Sequence, residues 1–168
     1  ARAKGDLDSH PMGTEYEVYS DEYEWLSHSI APRAEAPETW RLTVGEDTCA
    51  RPYSTAILNI SAMSFGSLSA KAIEALNLGA ALGDFAHNTG EGSISKYHRS
   101  HGGDLIWELG SGYFGARKPD GNFDPEQFRD RSADDQVKMI ELKLSQGAKP
   151  GHGGVLPAAK VTPEIAEA

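Results

Sequence analysis

Val137-Lys-Met-Ile-Glu-Leu-Lys143-Leu-Ser-Gln146-Gly-Ala-Lys149-Pro-Gly151 runs from an apolar strand directly into a loop of lysine, glutamine and glycine. Val137 to Leu144 is the most apolar strand candidate in the chain, and the loop that follows it extends to Gly154. Glycines expose backbone amides, and two lysines add positive charge, so this loop suits an anion or a cofactor. The plainer alternative is a flexible surface turn. Lys143 weighs against it, because a lysine at the mouth of a barrel is costly without an anionic partner.

The same arrangement occurs three more times upstream. Ala56-Ile-Leu-Asn-Ile-Ser61 is a short apolar run that ends in Met63-Ser64-Phe65-Gly66. A helical stretch follows over residues 67–82, with Leu68, Ala72, Leu76 and Ala80 on one stripe and Gly83 as a stop. Phe85 to Asn88 reads as a strand running into Thr89-Gly90-Glu91-Gly92. Asp104 to Leu109 alternates, with Leu105, Trp107 and Leu109 on one face, and ends in Gly110-Ser-Gly-Tyr-Phe-Gly115. Asp124-Pro125-Glu126 opens a short helix to Arg131. Four strands that each end in a polar, glycine-rich loop would, if parallel in a barrel, bring those loops to one face, where such barrels keep their sites. The predicted fold class is therefore α/β, an incomplete TIM-like (β/α) barrel. A full barrel needs about 250 residues and eight strands, so about the first half is present.

Residues 1–53 form the predicted entry segment and 54–168 the partial barrel. The entry segment carries Tyr16, Tyr19, Tyr23, Trp25 and Trp40 among Pro32 and Pro37 in irregular order, with one short strand expected at Trp40 to Val44. Thr162-Pro163-Glu164 is a good helix start barely one turn before Ala168, which leads us to expect a chain truncated at that end. The chain has 168 residues, is 39% hydrophobic and carries a net charge of -9, from 25 acidic and 16 basic residues. That balance argues against nucleic acid and anionic membrane surfaces as partners. One cysteine, Cys49, forms no internal disulfide, and no apolar run approaches the roughly 20 residues of a bilayer span. A cytoplasmic protein is expected, with a removed N-terminal membrane segment left open.

Four features favour their plainer readings. Gly110 to Gly115 matches GxGxxG, but Ala116-Arg-Lys-Pro119-Asp-Gly121 is turn sequence where a dinucleotide fold needs a helix. Asp120-Gly-Asn122-Phe-Asp124 resembles the opening of a calcium loop, yet Pro125 and Arg131 stand where glycine and glutamate are needed. His98 and His101 read as solvated loop residues, and Cys49 as a small, partly buried apolar residue.

Met63-Ser-Phe-Gly-Ser-Leu-Ser69, Asn88-Thr-Gly-Glu-Gly92, Gly110 to Gly115 and above all Lys143-Leu-Ser-Gln-Gly-Ala-Lys-Pro-Gly151 resemble, in order, motifs of the FMN-binding synthase domain of the glutamate synthase family. The resemblance runs from about Pro52 to the end. It implies a barrel holding FMN over its C-terminal face and reducing the imine of 2-oxoglutarate and ammonia to L-glutamate. By that resemblance Lys143 sits by the flavin N1 and C2 carbonyl, and Gln146 bonds the ring. Met63 and Ser64 contact it through backbone groups, with a side-chain contact open to Ser64. Lys149 pairs with a substrate carboxylate. Glu91 joins Lys143 as a catalytic candidate without an assigned step. The larger synthases read Glu-Gly-Gly-Gln where this chain has His152-Gly-Gly-Val155, so the flavin is better specified than the substrate. A 3Fe-4S cluster would need residues outside this chain. The open edges of half a barrel lead us to expect a homo-oligomer, and a flavin-dependent paralogue acting on another imine or keto compound and a non-catalytic assembly module that buries those edges against a second copy are the competing readings. The electron donor is not legible.

Overall fold

The computed structural model describes residues 40–146 and 153–167, and within the earlier part Glu17, Tyr19, Ser20, Asp21, Glu24, Ser27 and 29–31. The chain divides into two compact units, residues 1–37 and 38–168. In the first, the described residues form turns: Glu17 accepts from the Ser20 amide, and Ser29 Oγ accepts from the Ala31 amide. Tyr16, Tyr23, Trp25, Pro32 and Pro37 lie outside the described residues.

The second unit opens with an antiparallel hairpin, β1 (Arg41–Val44) and β2 (Tyr53–Ala56), in the register Arg41↔Ala56 to Val44↔Tyr53. Its turn carries Cys49, which is exposed and so corrects the partly buried reading. A short turn leaves no depth in which a side chain at its apex can be covered. Arg41 donates to the Asp84 carbonyl at 2.6 Å, Arg51 pairs with Asp135 at 2.9 Å, and Tyr53 packs with Ala86, Ile106 and Met139.

The parallel sheet has the order β3 (His87–Asn88), β4 (Leu105–Leu109), β5 (Val137–Leu142). Since Asp84, Ala86 and Asp135 precede their strands, the hairpin covers the N-terminal end of this sheet and leaves the C-terminal end to the loops.

The predicted strand at 56–61 is corrected. Ala56 ends the hairpin opposite Arg41, Ile57 and Leu58 are exposed, and of residues 57–61 only Ile60 pairs, parallel, with His87. Asn59 is the cause. Its amide donates to the Ala56 carbonyl at 2.7 Å, and its Oδ1 accepts from the Ala86 amide at 2.8 Å, so a side chain takes bonds that a strand's backbone would make. The ladder resumes at Ile60, whose amide donates to the Ala86 carbonyl while its carbonyl accepts from the Asn88 amide.

Between Ile60 and β3 lies α1 (Ala70–Gly83), capped by Ser69 Oγ on the Ala72 amide. Its buried stripe is Ile73, Asn77 and Ala80 rather than the expected 68/72/76/80 row. Steps of four drift around a helix of 3.6 residues per turn, whereas 73, 77 and 80 stay on one side. The left-handed residue at the helix end is Asp84, not Gly83, and Arg41 holds its carboxylate. Between β4 and β5 lies α2 (Pro125–Ser132), whose N-cap Asp124 accepts from the Glu126 and Gln127 amides. Thr162 Oγ1 caps α3 (Pro163–Glu167), as its sequence predicts.

All of β4 is buried, so it has two covered faces. Leu105, Trp107 and Leu109 share the face expected of them and pack with Ile94, Ala116, Val137 and Phe128 beneath α2. Ile106 and Glu108 take the opposite face. After a bulge that sets Met139 opposite Ile106, β5 places Glu141 opposite Glu108. These small sheets make a mixed α/β fold.

Candidate functional site

The C-terminal ends of β3, β4 and β5 converge on Glu91. Asn88, the last residue of β3, uses its Oδ1 to accept from the Gly90 amide at 2.9 Å, which fixes the turn that projects Glu91. Gly90 has φ +66, and a Cβ there would lie 2.8 Å from the Ser64 amide nitrogen, so only glycine fits between the two loops. Gly110, at the end of β4, approaches from the other side, where a Cβ would meet Glu91 Oε1 at 2.5 Å.

Lys143 continues the β5 ladder, its amide donating to the Leu109 carbonyl. Its Nζ meets Glu91 Oε2 at 2.9 Å and Glu108 Oε1 at 3.5 Å. Gln146 Nε2 lies 2.9 Å from both Glu91 oxygens. Hydrogen bonding to Glu91 pushes the Lys143 pKa up, so this amine stays charged. Burial pushes the Glu108 carboxyl up, with Lys143 opposing.

Glu108 is the residue that sequence reasoning missed, and it had a signal. Once Leu105, Trp107 and Leu109 face one side of β4, the carboxylate between them is committed to the other side of a central strand, where it needs a cation. The structure thus brings three predicted residues, Lys143, Glu91 and Gln146, into one cluster. Lys149 lies outside the described residues.

Met63 and Ser64 stand on the neighbouring loop. The Met63 amide donates to the Asn88 carbonyl at 3.1 Å, and its carbonyl receives His98 Nε2 at 2.9 Å. Ser64 Oγ bonds Ser67 Oγ. His98 is fully buried, which corrects the solvated reading, while His101 is exposed as expected. Ser95, three residues earlier, meets His98 Nδ1 through both its amide and its hydroxyl, so a short turn satisfies a ring that looked free in the sequence.

Behind His98 lies His87, rings 5.1 Å apart, with neither ring nitrogen partnered among the described residues. Burial first, then the neighbouring His98, pushes the His87 pKa down to about 4. The unfolded chain therefore binds more protons between about pH 4 and 6.5, and stability falls as pH drops through that window. His87→Leu is expected to flatten the fall, read as urea midpoints across pH 4.5–7. Equal slopes in the two proteins would remove His87 as its source.

A cavity of about 770 Å³ opens beside the cluster, lined in part by Asn88, Glu108, Glu141 and Lys143. That lies within the usual cofactor range of about 300–1,000 Å³. A lysine ammonium has three donors and, among the described residues, two are engaged here, which leaves one. Gln146 keeps its carbonyl oxygen free of partners among the described residues. A planar ring with a polar edge fits this donor and acceptor set.

Residues 28–168 match the family described as a conserved region in glutamate synthase. The chain belongs to the glutamate synthase family. It is 47% identical over 126 residues to the glutamate synthase large subunit-like protein YerD of Bacillus subtilis, covering 74% of this chain and 24% of that protein. It is 39% identical to the archaeal glutamate synthase [NADPH] of Archaeoglobus fulgidus, covering 61% and 17%. A glutamate synthase large subunit-like protein of Rhizobium meliloti is 32% identical, covering 65% and 22%. The chain thus spans about a quarter or less of these relatives' lengths. No solved structure matches it.

The remaining motifs find ordinary structural uses in this family member. Gly110 to Ala116 is a pair of turns with no helix opening from it, so the dinucleotide reading fails on context. Asp120 accepts from the Asn122 amide, and Asp124 caps α2. Among the described residues no helix is long and apolar enough to cross a membrane.

Proposed function

We propose that the Lys143 face receives the isoalloxazine of FMN, and that the protein carrying these residues reduces 2-iminoglutarate, formed from 2-oxoglutarate and ammonia, to L-glutamate. The observation that carries the reading is the convergence of Lys143, Gln146 and Glu91 at the ends of parallel strands. When bound, FMN would supply a hydride equivalent to the imine carbon.

The chain's own residues do the rest. Lys143 offers its remaining N–H and positive charge to the N1 and C2 carbonyl edge, where negative charge gathers on reduction. Gln146 offers its carbonyl to a ring N–H. Glu91 holds both in place, and Ser64 presents its amide from the adjoining loop. Lys149 would pair with a carboxylate of the keto acid. Residues 54–168 are read as the first half of a (β/α) barrel, a layout supported by the parallel succession Ile60, β3, β4, β5. NADPH, in the printed names of several relatives, is the electron donor we propose. A 3Fe-4S cluster would need cysteines other than Cys49.

His152 and Val155 favour a second reading in which the same flavin face serves another imine or keto acid. One experiment separates the two. The complete gene product, reduced anaerobically and given 2-oxoglutarate with ammonium, should form one glutamate for every two electrons and two protons consumed. Reoxidation by a different keto acid with ammonium, and not by 2-oxoglutarate, would select the paralogue. No reoxidation by either would reject both, and a concentration-dependent dimer without flavin would then favour the homo-oligomeric module. The exposed Leu142 and Leu144 at the edge of β5 suit that module.

A further inference from the structure

The loop that carries Met63 and Ser64 is held by a histidine to which no step has been given. The Ser95 amide lies 3.1 Å from His98 Nδ1, and an amide N–H can only donate, so Nδ1 is the acceptor. The ring proton of neutral His98 is then on Nε2, which donates to the Met63 carbonyl at 2.9 Å. The Met63 amide is fixed on its other side by the Asn88 carbonyl. Met63 is thus clamped at both backbone groups, one to the end of β3 and one to His98. The Ser64 amide shares the peptide plane of that carbonyl and so points away from His98, with its nitrogen against Gly90 in the turn that projects Glu91.

Two further contacts make this clamp rigid. Gln136 Nε2 donates to the His98 carbonyl at 3.0 Å, tying the histidine to the residue before β5. Phe65 packs at a tilt against Tyr97 with ring centres 4.8 Å apart, so the loop and the histidine's turn also pack side by side.

We propose that His98 is a positioning residue for the flavin face: its Nε2–H sets the Met63 carbonyl, and through it the direction of the Ser64 amide and the register of residues 63–66 against residues 88–91. The inference rests on the flavin reading of that face. It names a role for a side chain that touches neither cofactor nor substrate.

Two substitutions separate the ring's two nitrogens. His98→Asn can keep an acceptor for the Ser95 amide but has nothing at the Nε2 position. His98→Gln can place an amide N–H near the Nε2 position and reach the Met63 carbonyl. In the complete gene product, the Asn variant is expected to speed amide exchange at Met63, Gly66 and Leu68 about tenfold. It should also raise the FMN dissociation constant about tenfold, the scale of a buried acceptor left without its donor. The Gln variant should stay within about threefold of the unmodified protein on both, even if its unfolding midpoint falls as far as that of Asn. Equal losses in the two variants, tracking their midpoints, would reduce His98 to a stability residue and overturn the proposal. So would an Asn variant that binds FMN as tightly as the unmodified protein. Absence of FMN binding by the unmodified protein would overturn the flavin reading and this role with it, while the exchange rates would still report whether His98 holds the loop.

Discussion

In the proposed FMN complex, Lys143→Ala is expected to make the flavin harder to reduce, shifting its two-electron potential about 30–60 mV negative and slowing turnover about 10²- to 10³-fold. The sign follows from the charges at the site. Lys143 is the cation that faces Glu91 at 2.9 Å and Glu108 at 3.5 Å, with Glu141 opposite Glu108 in the ladder. Its removal takes away a charge-assisted donor and leaves those carboxylates uncompensated, and both changes oppose negative charge on the ring. Lys143→Arg keeps the charge but not the compact geometry, and should retain most of the potential while losing part of the rate. Potentiometric titration of the flavin in all three proteins reads the effect. A potential unmoved in Lys143→Ala would place the ring elsewhere.

Trp107→Ala should destabilise the unit of residues 38–168 by about 3–5 kcal/mol, enough to unfold a marginal domain. Trp107 has no exposed surface and lies between Leu105 and Leu109 on the strand that both neighbours pair with. Its ring meets Phe128 of α2 at 5.5 Å, so one side chain joins the sheet to its covering helix. Urea unfolding followed by circular dichroism gives the number. Trp107→Phe should recover more than half of the loss, because the contact is one of area and shape. A change below about 1 kcal/mol for alanine would mean that this face is not the core.

Both predictions draw on features that were already visible in the chain. Alternation placed Leu105, Trp107 and Leu109 together, and the loop after each strand marked which end carries chemistry. Lys143 stood out because a lysine at the end of an apolar strand needs an anionic partner, whereas Gln146 was singled out by the family resemblance. Local satisfaction of polar groups was harder to read. Asn59 turns an apolar run away from strand geometry, and Ser95 and Met63 together accommodate a histidine that seemed solvent-facing. Each depends on a partner brought close by folding. Glu91 is intermediate: its glycine-rich loop at a strand end was evident, but its role as the shared acceptor for Lys143 and Gln146 depends on the parallel register of three strands.

The cluster also has a consequence for binding. Glu91 neutralises Lys143 and occupies the Gln146 amide, so an incoming ring must share partners that already satisfy one another. Such a site favours ligands that add bonds without breaking these, through the third Lys143 N–H and the Gln146 carbonyl.

The most direct test of the flavin face is a titration of the complete gene product with FMN, followed by absorbance and fluorescence, beside Lys143→Ala. Saturable one-to-one binding with a perturbed flavin spectrum, weakened in the variant, is expected. Binding of equal strength and identical spectrum in both proteins, or no binding by the folded protein, would contradict it.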